Sequence, residues 1–134
     1  MPFRIEFDDA REWVLITVTD SLTAGDAVGV IRTVRADATH QMWPMLVDAR
    51  GVPNSLSLSD IDQMVEAVRA AARASGLRGH VALIADTDSL FDRLLVYEVR
   101  CAQIGVGVIR VFRDERDARQ WLETMSSAWK LGKT

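Results

Sequence analysis

His80-Val81-Ala82-Leu83-Ile84-Ala85-Asp86-Thr87-Asp88-Ser89 decides the fold. Its apolar front half is strand-sized and opens directly into a polar run, after which a helical pattern lasts to about Ile104 and stops at Gly105. A short, unbroken apolar run bounded by turn residues reads as a strand covered on both faces, as in a parallel sheet. Asp86-Thr87-Asp88-Ser89 is expected to start that helix, since an Asp near a helix start can cap its free N–H groups. Gly105 fits a helix stop because glycine takes the left-handed conformation without steric cost. The pattern predicts a central strand from His80 to Ala85, joined to a helix that crosses the sheet.

The same alternation continues on both sides of this unit. Upstream, Met45-Leu46-Val47-Asp48 is a short buried strand. It leads through the loop Gly51-Val52-Pro53-Asn54-Ser55 to a helix from Leu58 to about Ser75, capped by Ser57 with Asp60 and stopped at Gly76. Leu58, Ile61, Val65, Val68 and Ala72 form its apolar stripe, and Ala67, Ala70 and Ala74 a smooth third face. Downstream, Val106 to Phe112 is a strand and Asp114 to about Met125 a helix that Trp129 and Leu131 can prolong. At the front, Phe3 to Asp8 alternates apolar and charged residues, and Trp13 to Thr19 is rich in β-branched residues. The short turn between them suits an antiparallel pair. Thr23 and Asp26 then cap a helix that reaches about Ala36. The order is ββαβαβαβα: a single-domain α/β fold with a five-stranded mixed sheet flanked by four helices, spanning 1–126, with 127–134 as a C-terminal tail.

Composition narrows the function classes. The chain has 134 residues, 49% hydrophobic and 26% charged, enough apolar material for one core without disulfide or metal staples. A net charge of −3 gives no footprint for nucleic acid or an anionic membrane. The amino terminus lacks the apolar core of a signal peptide, no run approaches a membrane span, and Cys101 is the only cysteine. These features lead us to expect a cytoplasmic protein with no membrane insertion and no nucleic-acid partner.

Several residues stand out chemically. Asp20, Asp48, Asp86 and Asp114 fall at or just after strand ends, where ligands gather in a parallel sheet. Helix capping accounts for them more economically than a metal does. Arg50 beside Asp48 offers a fork for a carboxylate or phosphate, or a local ion pair. In the helix after Ser89, Leu90, Phe91, Leu94, Leu95, Tyr97, Cys101, Ala102 and Ile104 share one face at 100° per residue, and Glu98 falls inside it. A carboxylate there must be paired, hydrogen-bonded or held neutral. Glu98 is therefore expected either to anchor a ligand or to find a bond at the helix edge. His40 and His80 lack zinc-ligand spacing, and Cys101 reads as a small core residue. Among the tryptophans, Trp121 reads as core by its spacing, and Trp43 and Trp129 as surface aromatics. No catalytic residue, metal or cofactor is expected.

Taken with the element order, Leu46-Val47-Asp48-Ala49-Arg50 before a capped helix, Tyr97-Glu98, and Val111-Phe112-Arg113-Asp114 followed by Ala118 and Trp121-Leu122 resemble the SpoIIAA-like proteins, small relatives of the STAS domain. The resemblance spans nearly the whole chain. It implies a non-enzymatic module that binds partner proteins, with a further likeness to lipid-carrying SEC14-type domains. Some STAS relatives are switched by serine phosphorylation; here Ser55, Ser57 and Ser59 occupy the region, without an Asp-Ser-Ser-Gly-like motif. Three functions follow in rank order. The first is a regulatory protein-binding module, self-associating as a homodimer through the alanine face or a sheet edge. The second is a carrier of a small apolar ligand or lipid. The third is an aspartate-based phosphoryl-transfer or metal-dependent enzyme. The residues proposed to meet a ligand or partner are Asp48, Arg50, Asp86, Tyr97 and Glu98.

Overall fold

In a computed structural model, residues 3–75, 79–106 and 108–132 are described, without the side chains of 75 and 128–132. In chain order the elements are β1 (Phe3–Asp8), β2 (Trp13–Val18), α1 (Ala24–Ala36), β3 (Met45–Asp48), α2 (Leu58–Ser75), β4 (His80–Ile84), α3 (Asp88–Ile104), β5 (Val108–Phe112) and α4 (Glu115–Gly132). The order and the α/β class are those expected from the sequence. α4 runs on to Gly132, so most of the segment set apart as a tail is helical. The expected stop at Gly76 and the side chains of Trp129 and Leu131 lie outside the described residues.

The strands lie side by side in their sequence order, β1-β2-β3-β4-β5. β1 and β2 are antiparallel, and β2 through β5 are parallel. Successive right-handed crossovers that all step the same way leave their helices on one face. α1, α2 and α3 therefore share a face, while α4 packs on the other through Ala118 and Leu122 against Leu46, Ala82 and Ile84. β4 is an interior strand, as expected, one place from the middle strand β3. β4 is nonetheless the most apolar because helices cover it on both faces: Ala82 and Ile84 meet α4, and Leu83 joins the core beneath the other three helices. An apolar run reports coverage of the two faces, not rank in the sheet.

Local chemistry fixes most of the element ends; the start of α3 is the exception, where Thr87 makes no side-chain cap because its hydroxyl turns to Val52 O and Asp86 is taken by the Gly51 N–H. Thr23 Oγ1 accepts the Asp26 N–H at 3.1 Å. Ser57 and Asp60 form a reciprocal capping box at 3.0 and 2.8 Å, and Asp114 Oδ1 accepts the Asp117 N–H at 2.8 Å. Gly105 is left-handed (φ 69°), with its N–H bonded to Ala102 O and the Val106 N–H to Cys101 O. That closure uses Val106 to finish α3, which is why β5 starts at Val108 and not at Val106. Two expected apolar stripes are shorter than their periodicity suggests. Leu58 is 48% exposed, so the buried stripe of α2 begins at Ile61; Ala102 and Ile104 at the end of α3 are also exposed.

Candidate functional site

The face under α1, α2 and α3 is not completely filled. Val47, Val81 and Leu83 form a floor from the middle of the sheet. Val30 and Ile31 of α1, Met64, Val68 and Ala72 of α2, and Leu94 and Tyr97 of α3 form the roof and walls. Ala27, Ala71 and Ala72 are too short to close the gap that longer side chains at these helical positions would fill. The result is a cavity of about 100 Å³. An apolar cavity of about 150 Å³ stays dry and takes up benzene, so a space of this order admits a small ligand.

One charged side chain lines this cavity. Arg35 stands in the last turn of α1, where a cation suits the helix dipole. Its Nη1 donates to Gln41 O at 2.6 Å and reaches Trp43 O at 3.5 Å. Both carbonyls belong to the loop leading to β3, which His40 and Trp43 brace by packing on Phe7 and on each other. Gly79, just before β4, leaves the guanidinium its room: a Cβ there would lie 2.1 Å from Nη2. Burial pushes the Arg35 pKa below its ordinary value. Among the described residues no carboxylate pairs with Arg35. A partly buried cation held by carbonyls alone leaves a charge without a counter-charge.

On the outer side of Arg35, an open groove of about 570 Å³ runs between α1 and α2. Ala67, Ala70 and Ala74, expected as a smooth outer face, are split: Ala67 is buried, and all three form the groove's α2 wall. Arg32, Ala36 and Gln41 line the opposite side. Arg35 and Ala71 belong to both the groove and the cavity, so Arg35 stands at their border.

The residues singled out in the sequence divide between this site and other duties. Tyr97 is buried and lines the cavity, with its hydroxyl pKa pushed up by burial. Cys101, one turn on, is also buried, and burial pushes its thiol up to about 11. Glu98 does not line the cavity: its Oε1 accepts the N–H of Val111 at 2.8 Å, satisfying a donor of the edge strand β5. Asp48 and Arg50 pair bidentately at 3.0 and 2.7 Å, and Arg50 continues to Glu115, which holds Arg119. The hydrogen bonds from Arg50 hold the Asp48 carboxyl below its usual range. Asp86 accepts the Gly51 N–H at 2.8 Å, tying two loops together. Asp20 accepts the Ser21 N–H, and Asp114 caps α4. Ser57 is committed to its cap, Ser55 donates to Leu22 O at 2.8 Å, and Ser59 is exposed. Among the described residues no three His, Cys, Asp or Glu side chains gather within reach of one metal ion.

Arg35 and Gly79 were not singled out by the sequence. Their signal was nevertheless present: Arg35 follows Ala27 and Ile31 at four-residue steps, a charge in register with an apolar stripe. No helix among the described residues is long and apolar enough to cross a membrane. The chain matches no protein-family model, and no curated protein matches it.

Proposed function

We propose that this domain binds a small, largely apolar ligand in the cavity beneath α1, α2 and α3, as a carrier or sensor without covalent chemistry on the ligand. The observation that carries this is the cavity itself: about 100 Å³, smaller than the several hundred Å³ of most ligand pockets and so sized for a short chain, walled mainly by aliphatic side chains from three helices and the sheet. Pockets of this kind bind through apolar contact and use a few polar groups for orientation. Arg35 and Tyr97 are such groups. The likeness to SEC14-type carriers points the same way. Support for a non-covalent role comes from the groups able to react, none of which lines the cavity: the Cys101 thiol, raised to about 11, stays protonated near neutrality, and Asp48, Asp86 and Asp114 serve in ion pairing, loop bracing and capping.

Methionine methyl groups offer a direct test. Met45 and Met64 line the cavity, whereas Met125 on α4 does not. In protein carrying ¹³C-methyl methionine, 1-hexanol should shift the Met45 and Met64 signals saturably and leave Met125 in place. Ala72→Leu, which fills the cavity, should abolish the shifts. Unmoved Met45 and Met64 signals, or shifts that survive the filling substitution, would sink the proposal.

A further inference from the structure

Resting on that reading, we infer that the ligand carries an anionic end, a carboxylate or a group of like charge and shape, and that Arg35 is the residue that receives it at the cavity mouth. Three observations converge on Arg35. It is the charged member of an otherwise apolar and aromatic lining. Among the described residues it has no carboxylate partner, its hydrogen bonds going to the carbonyls of Gln41 and Trp43. It also stands where the cavity meets the groove, whose wall holds Arg32 and Arg35 and no acidic residue.

A ligand with an apolar tail and a charged head fits this arrangement in one orientation. The tail replaces empty space against Val47 and Val81, and the head lies at the border, within reach of the guanidinium. Arg32 adds positive potential along the groove and favours approach of an anion from that side. Nη1 is already engaged with the two carbonyls, while Nη2 occupies the space beside Gly79. A carboxylate would supply the missing counter-charge without any of the backbone bonds being broken.

Hexanoate and hexanamide share a chain and differ in charge, so their dissociation constants separate the head-group contribution from the tail. A charge-assisted bond in a partly desolvated site should make hexanoate bind about tenfold more tightly or better. In Arg35→Met, which keeps the apolar stem, the two should bind within about twofold of each other, hexanamide being little changed. Gly79→Ala retains the charge but displaces the guanidinium, so the preference should shrink without disappearing. Should Arg35→Met fail to fold, the alanine variant and the wild-type ratio still decide the matter. Equal affinities in the wild type, or a preference that persists undiminished in the variants, would overturn the anionic assignment while leaving the cavity reading intact. Failure of hexanol, hexanoate and hexanamide alike to move Met45 and Met64 would overturn both.

Discussion

A methyl group on Gly79 would lie 2.1 Å from Nη2 of Arg35, so the guanidinium fills the place that any side chain at position 79 would need. The two residues come from the end of α1 and the approach to β4. Their contact couples the α1 end of the cavity to the sheet. Because the obstructing atoms are the far end of a flexible side chain, Gly79→Ala should cost within about 1 kcal/mol in chemical denaturation. The same substitution should move the Arg35 Nε–H resonance strongly. A large loss of stability with that resonance unmoved would mean the backbone, not the guanidinium, gives way.

His80 reports the Arg35 charge. Burial holds its pKa below the ordinary 6.5, and Arg35 pushes in the same direction. The fold therefore favours the neutral imidazole, and the unfolded chain binds the proton more readily. The stability that depends on neutral His80 is present above pH 6.5 and declines as pH falls through the lower folded value. Arg35→Met removes the smaller of the two causes, so the His80 pKa, followed by proton NMR, should rise while staying below 6.5. An unchanged value would show that the charge does not reach the ring.

Glu98 protects an edge. Its carboxylate accepts the Val111 N–H, which points away from β4 on the outermost strand. Glu98→Ala should destabilise the protein by about 1–2 kcal/mol and speed hydrogen exchange at Val111. Glu98→Gln keeps an acceptor oxygen and should lose less. Slow exchange at Val111 in the alanine variant would contradict this role.

The pair Tyr97 and Cys101 predicts behaviour at high pH. Burial raises both, Cys101 from 9.0 to about 11, so the fold favours the protonated forms. Their contribution to stability is complete below pH 9.0 and is lost as pH climbs toward about 11 and beyond. At pH 8 the native thiol should resist a disulfide reagent that labels it promptly in denaturant. Rapid labelling of the folded protein would show an accessible thiolate.

The element order was legible because most helix ends carry local punctuation: Thr23 with Asp26, Ser57 with Asp60, and Gly105 act within a few residues of themselves, although α3 starts without a side-chain cap. The rank of β4 in the sheet was not legible, since two covered faces give the same apolar run at the middle of a sheet and one place from it. Leu58 and Ile104 are exposed because periodicity gives the direction of a side chain but not how far the neighbouring layer extends. Of the site, Tyr97 was legible through its place on an apolar face. Glu98 drew notice for its charge on that same face, and its partner proved to be a backbone N–H thirteen residues away. Arg35 is not legible as a site residue because it ends a helix, where a basic residue is ordinary, and only the approach of Gly79 and the absence of a carboxylate among the described residues mark it out.

A crystal structure of the protein soaked in hexanoate examines the site most directly. The account predicts continuous density over Val47 and Val81, ending in a carboxylate about 3 Å from the Arg35 guanidinium. Clear protein density at saturating hexanoate with nothing inside the cavity, or hexanoate held only on the outer surface, would contradict it.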